Sequence, residues 1–429
     1  MKRLAEYLIY LYVFFMVIDP SGYGDLTKIP FINISIKYCI LLILLILILL
    51  RLLGWTLDRK WPANYFNKYL VSLICFALFY VLIGLLRGNE PNYILKDSLG
   101  LFYYAVGFLI IPFLDKKEQI FNLLKVLFIS TLFVNVFLMV TEAMLINNAI
   151  PVDVVNLLVA GNNLGLYLVN ISNTPFYRIM LRAGIFVQMG AVLSFSMLFL
   201  KKHRRYKSYL FCFAACLIGL IILFARGYWI GFLVSVFIVM LYNMKNKEIR
   251  TMFVVFFAML AIISIFTGVA NIRFENAFVD RFISSFNFVE DESNMIRVEQ
   301  FDMLKNKVLE HPFIGGGYGT YIEGYSRDPD QPYYFELDYM AMLMKFGLIG
   351  FVVLAGLFFK IFKSEYDAIK LIEDKEVKAV GIGVFASVMG LLVTAATNPF
   401  LNGVLGNFIV LYSMILFNLI KKGEKIASY

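Results

Sequence analysis

Three arginines stand between long apolar runs, where a charged side chain needs an explanation. Arg226 lies in LIILFARGYWIGFLVS, which leaves only a short polar turn around it. Arg178 and Arg182, in NTPFYRIMLRAGIF, are four residues apart and would share one face of a helix. A guanidinium makes paired hydrogen bonds to phosphate, so these residues predict an anion site for a phosphate or diphosphate. The alternative is anchoring at a lipid surface, which for Arg226 would be shared with Trp229.

Two carboxylates open the segment FELDYMAMLMKFGLIG. In a helix, Glu336 and Asp338 would point about 200° apart, so only one of them faces a given site. Glu336 would share its face with Tyr339. A carboxylate here can act as a general base, or it can simply complement the helix dipole. We predict that Glu336 is the general base, and Asp338 is the second candidate for that role.

The glycine run GGGYG at 315–319 follows His311 and Pro312. It lacks both a preceding strand and a following Lys-Ser/Thr pair, which excludes a P-loop or a Rossmann site. Gly315 and Gly317 can still present backbone N–H groups to an anion or let a glycan come close. A tight turn is the alternative for the glycines. For His311 the choice lies between substrate contact and a plain helix end.

Metal and cofactor chemistry is not expected. The four cysteines all lie inside apolar runs, and the two histidines are far apart in sequence. Neither set has the spacing of a zinc site.

The composition is that of a membrane protein. The 429 residues are 61% hydrophobic and 16% charged, whereas soluble domains are about 45–50% apolar and about 25% charged. The N-terminal MKRLAEYLIYLYVFFMVIDP has no small-residue cleavage site, so we interpret it as a retained first span. The formal charge of +9 comes largely from short loops, which argues against a nucleic-acid partner.

About 20 apolar residues are needed to cross a bilayer, and the chain has about twelve such runs. We place them near 4–18, 31–50, 69–86, 94–114, 120–141, 184–200, 208–225, 228–244, 251–270, 346–362, 379–397 and 403–420. The expected fold is an all-α polytopic membrane protein, with residues 1–429 forming a single domain.

Loop charge predicts the topology. The basic loops after spans two, six and eight and the basic C-terminus all fall on one side, so both termini are expected in the cytoplasm. The window 271–335 then becomes one large external loop with six basic and eleven acidic residues. Within it, residues 294–310 predict a helix that carries Arg297 and ends before Pro312.

Several of these stretches together resemble a known family. RGYW after a span, then MIRVEQFDMLKNKVLEHPFIGGGYGTY, then ELDYMAMLMKFGLIGF are similar to motifs of the O-antigen polymerase and O-antigen ligase superfamily of bacterial envelope glycosyltransferases. The stretch RIMLRAGIF also matches an upstream arginine motif of that family. The resemblance covers about residues 178–400.

The resemblance implies a metal-independent enzyme of the membrane glycosyltransferase C type in the bacterial cytoplasmic membrane. Its donor and acceptor would be undecaprenyl-diphosphate-linked glycans at the outer face, with membrane lipid around them and a chain-length regulator protein as a candidate partner. Arg182, Arg226 and Arg297 correspond to the family's diphosphate-binding and catalytic arginines. Ligases place a His-Asn pair where this chain has Glu336-Leu337, which favours a polymerase of O-antigen, capsule or exopolysaccharide.

Two alternatives remain open. One is a ligase that moves a finished glycan to another acceptor. The other is a transporter or flippase for the same lipids, which would be expected to carry ionisable residues near the midplane of its spans.

Overall fold

A computed structural model describes most of the chain. The described residues are 1–19, 28, 34–53, 64–151, 166–170, 177–200, 205–243, 292–325 and 331–424. The predicted span 251–270 and much of the predicted external loop, residues 271–291 and 326–330, lie outside them.

The described part is built almost wholly from helices. In chain order these are α1 (Lys2–Ile18), α2 (Ile36–Leu52), α3 (Asn67–Leu86), α4 (Pro91–Phe102), α5 (Val106–Ile110), α6 (Glu118–Ile146), α7 (Gly184–Leu198), α8 (Tyr206–Ile222), α9 (Arg226–Asn243), α10 (Glu292–Glu310), α11 (Asp338–Leu371), α12 (Lys375–Thr394) and α13 (Val404–Gly423). Between α6 and α7, strands β1 (Leu166–Asn170) and β2 (Tyr177–Leu181) form an antiparallel hairpin.

The helices confirm the all-α polytopic membrane fold. In the described part of the chain, seven are long and apolar enough to cross a membrane, with α4 and α5 joined by short 3₁₀ turns into one span, Pro91–Phe113. Helices α7 and α8 are shorter but also apolar. Every span predicted from the sequence overlaps a described helix, except 251–270, which the structure does not describe.

Small residues allow the central helices to pack closely. Helix α9 crosses α12 where Gly231 meets Gly390, and a Cβ atom at Gly390 would overlap Ser235 Oγ and the Gly231 carbonyl. The Ser235 hydroxyl donates across the same crossing to the Ala386 carbonyl at 2.8 Å. Close backbone approach and an interhelical hydrogen bond therefore stabilise this crossing, as expected between membrane helices.

Helix α11 is broken near its start. Gly347 has φ 62° and ψ −177°, which separates a short segment, residues 338–346, from a long one, residues 348–371. A break of this kind inside a membrane exposes polar backbone groups that need partners.

The glycine-rich loop supplies those partners. The N–H groups of Gly316 and Gly317 donate to the carbonyls of Met344 and Lys345 at 3.0 and 2.8 Å. On the other side of the break, the N–H groups of Leu348 and Ile349 donate to the carbonyls of Pro312 and Phe313 at 2.8 and 3.0 Å. The loop after α10 thus completes the hydrogen bonding of the broken span.

Candidate functional site

An arginine and a carboxylate meet where the chain enters α11. Arg297 Nε on α10 lies 3.2 Å from Glu336 Oε2, and the two side chains are 22% and 26% exposed. Nearly one turn further along α10, the Gln300 side chain accepts a hydrogen bond from the Leu337 N–H at 3.0 Å. This contact holds the Glu336 segment against α10, so the ion pair is fixed in place but still reaches the surface.

The helix begins two residues later than the prediction required. Helix α11 starts at Asp338, and Leu337 before it has ψ 79°, so Glu336 is not helical and cannot share a helical face with Tyr339. The physical reason is that the Leu337 backbone leaves the helical region, and the Gln300 side chain holds this non-helical residue through its N–H. Tyr339 instead donates its hydroxyl to the Leu392 carbonyl at 2.6 Å and lines a cavity between α11 and α12.

Asp338 is placed very differently from Glu336. Its side chain is fully buried, and its carboxylate accepts hydrogen bonds from the backbone N–H groups of Leu401 at 2.5 Å and Asn402 at 3.2 Å. The Asn402 side-chain amide donates to the same carboxylate. Asp338 therefore ties the start of α11 to the connection between α12 and α13, and the geometry favours Glu336 as the accessible carboxylate.

The prediction that Arg178 and Arg182 share a helical face is wrong. Arg178 lies in β2, paired with Val169 of β1, and Arg182 follows in the turn before α7. Backbone pairing within the hairpin replaces the helical hydrogen bonds. The hairpin is tied to α6 by Glu142, whose carboxylate accepts the Tyr177 N–H at 3.0 Å.

Both arginines nevertheless lie within electrostatic range of tyrosines at this end of the bundle, Arg182 of Tyr334 and Arg178 of Tyr228. Burial raises the pKa of Tyr334 to about 12, and the positive charge of Arg182 opposes that rise, which places the guanidinium within electrostatic range of the phenol. Tyr228 interacts electrostatically with Arg178 and with Tyr334. Tyr334 also donates its hydroxyl to the Pro399 carbonyl at 2.8 Å.

Arg226 opens α9 beside the same connection. A Cβ atom on the adjacent Gly227 would lie 2.6 Å from Asn398 Nδ2, and the Gly227 carbonyl accepts the Thr394 hydroxyl at 3.1 Å. The nearby Trp229 is buried and donates its indole N–H to the Leu220 carbonyl at 2.8 Å, closing the turn from α8 to α9. Arg226 thus lies at the end of the bundle that holds the hairpin arginines and Glu336.

In the structure, His311 and the glycines belong to the loop after α10, which packs against the break in α11 at Gly347. The N–H of Gly315 donates to the His311 carbonyl at 2.9 Å, and the N–H of Gly317 is taken by Lys345. Both glycines have positive φ, near 80°, which few other residues adopt. These contacts favour the tight-turn and helix-end interpretations that the sequence left open. Substrate binding by Gly315, Gly317 and His311 stays a prediction.

Sequence reasoning missed a buried ion pair beneath the site. Lys345 Nζ lies 2.6 Å from Asp97 Oδ1, and the two side chains are 0% and 1% exposed. The other Asp97 oxygen accepts the Gly319 N–H at 2.9 Å. The signal was in the sequence, because an ionisable residue within or beside an apolar span needs a partner.

In the part of the chain that the structure describes, no group of three or more His, Cys, Asp and Glu side chains is placed to hold a metal ion.

Comparison with known protein families gives a match. Residues 211–355 match a family model described as O-antigen ligase. The matched stretch runs from α8 into α11 and includes Arg226, Arg297 and Glu336. The match confirms the resemblance to the O-antigen ligase and polymerase superfamily over that part of the chain. No curated protein matches the sequence.

Among solved structures, one similar chain comes from work described as "Structural coordination of polymerization and crosslinking by a peptidoglycan synthase complex". The likeness has a TM-score of 0.47 and 14% sequence identity, covering 82% of this chain and 96% of the other. Similarity at this level carries no conclusion about activity.

Proposed function

We propose that this protein, whose residues 211–355 match the O-antigen ligase family, is a polymerase that joins lipid-diphosphate-linked glycan repeat units. The observation that carries the proposal is the partly exposed Arg297–Glu336 pair, which lies at the end of the bundle where Arg178, Arg182 and Arg226 are also found. Cations and a carboxylate in one place suit a reaction with an anionic leaving group and an acceptor hydroxyl.

The arginines would act on the donor. The donor's anomeric C–O bond to the diphosphate breaks, and negative charge develops on the leaving lipid diphosphate. Guanidinium groups that are already in place stabilise that charge without reorganising. Arg182, Arg226 and Arg297 would share this role, with Arg178 holding the diphosphate from the hairpin side.

Glu336 would act on the acceptor. It takes the proton of the terminal hydroxyl of a second lipid-linked unit as that oxygen forms the new glycosidic bond. Its exposure of 26% leaves room for the hydroxyl, and pairing with Arg297 orients the carboxylate. Asp338 is better suited to positioning this segment, because its oxygens are already hydrogen bonded to Leu401 and Asn402.

An apolar cavity next to the site can take the lipid. It has a volume of about 600 Å³, and its lining includes Tyr339 and Leu401 at the site end and Lys363 and Tyr366 further along α11. A polyprenyl chain has the chemistry to fill a cavity that runs along a membrane helix in this way.

The proposed location is the bacterial cytoplasmic membrane, with both termini in the cytoplasm and the arginines outside. Single cysteines at Asn92 and Ser208, in a chain with the four native cysteines replaced by serine, test this. A membrane-impermeant thiol reagent should label position 92 and spare position 208 in spheroplasts. The reverse pattern would place the site in the cytoplasm and remove the case for an external enzyme.

A ligase is the second candidate, because the matching family model carries that description. Purified protein supplied only with lipid-linked single repeats separates the two. A ladder of longer chains requires polymerase activity. If transfer is seen only after another acceptor, such as a lipid A core, is added, the polymerase proposal fails in favour of the ligase.

A transporter is the third candidate. The observation that favours it is that Asp97, Lys345 and Glu365 are buried ionisable residues in the membrane spans. The same purified assay decides, because a transporter forms no glycosidic bond.

A further inference from the structure

A tyrosine cluster lies next to the proposed reaction site. Tyr93 comes from the first turn of α4, Tyr321 from the segment after the glycine loop, and Tyr333 from the segment before α11. The Tyr93 ring centroid is 5.7 Å from that of Tyr321 and 5.8 Å from that of Tyr333. Tyr333 is buried, while Tyr93 and Tyr321 are partly exposed. Three separate segments thus build one aromatic surface.

Hydrogen bonds from neighbouring polar residues hold the segments that carry the cluster. The Asn89 side-chain amide donates to the carbonyls of Gly316 and Tyr318 at 2.9 and 2.8 Å, fixing the loop that carries Tyr321. The Asp97 carboxylate holds the Gly319 N–H, and the Lys345 ammonium lies 6.0 Å from the centroid of the Tyr333 ring. Because the rings are already ordered, a ligand that binds to them loses little extra conformational entropy.

The cluster is continuous with the candidate site. Tyr333 stands three residues before Glu336 in the same segment, and Tyr334 between them donates its hydroxyl to the Pro399 carbonyl at 2.8 Å. Tyr325, four residues after Tyr321, accepts a hydrogen bond from Gln300 at 3.1 Å. Gln300 lies on α10, nearly one helical turn after Arg297. The segment before α11 therefore links the tyrosine cluster directly to the Arg297–Glu336 pair.

The side-chain chemistry suits a sugar. A tyrosine combines a flat apolar ring with a hydroxyl at its tip, so it presents contact area and a hydrogen-bonding group at a small entropic cost. A pyranose ring has the complementary form, with an apolar C–H face and hydroxyls at its edge. Plain membrane anchoring does not suit Tyr333, which is buried against Tyr93 instead of facing lipid.

We propose that Tyr93 and Tyr321, supported by Tyr333, form a subsite that binds a sugar ring of the lipid-linked repeat unit. This inference rests on the proposed function, and it assigns the tyrosines to binding rather than to the chemical step. Their loss should raise KM and leave kcat unchanged.

The kinetic test uses purified full-length protein and lipid-linked single repeats extracted from cells that lack it. Tyr321→Ala should raise KM about three- to tenfold, the range expected for one lost aromatic contact, with kcat within about twofold of wild type. Tyr321→Phe should retain the stacking and stay within about twofold. Phe313→Ala is the matched control, because Phe313 is an aromatic residue at the same end of the bundle and is 63% exposed.

A binding test separates this inference from the proposed function. Saturation-transfer NMR with the free oligosaccharide of one repeat unit needs no turnover. Transfer to sugar C–H protons should be clear for the wild type and for Phe313→Ala and weak for Tyr93→Ala and Tyr321→Ala. Equal transfer in all four proteins would overturn the subsite even if polymerase activity is present. An equal KM increase in Phe313→Ala would instead assign the tyrosines to membrane anchoring.

Discussion

The pairs Arg297–Glu336 and Lys345–Asp97 lie at the two ends of the short segment 338–346 of α11, and their surroundings differ. The first has a separation of 3.2 Å and side chains about one-quarter exposed. The second has a separation of 2.6 Å, side chains that are 0% and 1% exposed, and a further hydrogen bond from the Gly319 N–H. The first pair is open to solvent, and the second is closed off from it.

Because of this difference in exposure, we expect the first ion pair to matter for the reaction and the second to matter for the stability of the fold. An exposed ion pair contributes about 0–1 kcal/mol to stability, so it costs little to open during a reaction. Removing one partner of a buried pair leaves an uncompensated charge and costs about 3–5 kcal/mol. Variants of the two pairs should therefore rank in opposite order for stability and for activity.

The largest effect on stability is expected for Lys345→Met. It leaves the Asp97 carboxylate without its cation inside the bundle, so the free energy of unfolding should fall by about 3–5 kcal/mol. Denaturant titration of purified protein measures this. Lys370→Met on the same helix is the control, since Lys370 is 53% exposed and pairs with Asp367 at the surface.

A double variant tests whether the uncompensated charge of Asp97 causes this loss of stability. Lys345→Met with Asp97→Leu removes both charges and should be more stable than Lys345→Met alone. If Lys345→Met unfolds no more easily than Lys370→Met, the pair does not support the fold and the comparison fails.

The second effect is expected for Asp338→Asn. Asparagine has one acceptor oxygen where Asp338 uses two to hold Leu401 and Asn402, so about 1–3 kcal/mol of stability should be lost. Activity should fall in parallel with the folded fraction. Asp367→Asn, on the same helix and 49% exposed, is the control. A complete loss of activity in fully folded Asp338→Asn would restore Asp338 as the reacting carboxylate.

The apolar runs predicted the helices well, because crossing a bilayer demands composition as well as length. Contacts between residues that are distant in sequence could not be predicted from local patterns. Lys345 and Asp97 are 248 residues apart, so no local spacing indicates that they pair. Gln300 holds the Leu337 N–H just before α11, although it lies 37 residues earlier in the chain. Spacing of four residues placed Arg178 and Arg182 on a helix, whereas pairing with β1 puts Arg178 in a strand.

The third prediction concerns Arg226, which belongs to neither pair. Arg226→Ala should leave the protein folded but reduce polymer formation by about 10²–10³-fold, the loss typical of one group that stabilises transition-state charge. Arg226→Lys should recover only part of the activity, because an ammonium cannot make the paired hydrogen bonds of a guanidinium. The measurement is ladder formation at matched protein levels. Full activity in Arg226→Ala would reduce the residue to a membrane anchor.

The smallest effect on stability, and a large one on activity, is expected for Glu336→Gln. Glutamine keeps the size of the side chain but removes the charge that pairs with Arg297. Since the pair is partly exposed, unfolding should change by less than about 1 kcal/mol.

Loss of the proposed base should slow polymerisation by about 10²–10⁴-fold, so single lipid-linked repeats accumulate without a ladder. Glu310→Gln is the matched control, because Glu310 ends the same helix α10 and makes an exposed pair with Lys307 at 2.8 Å. A persistent ladder in Glu336→Gln would show that Glu336 is not the base, which would then have to lie elsewhere at the arginine-lined end.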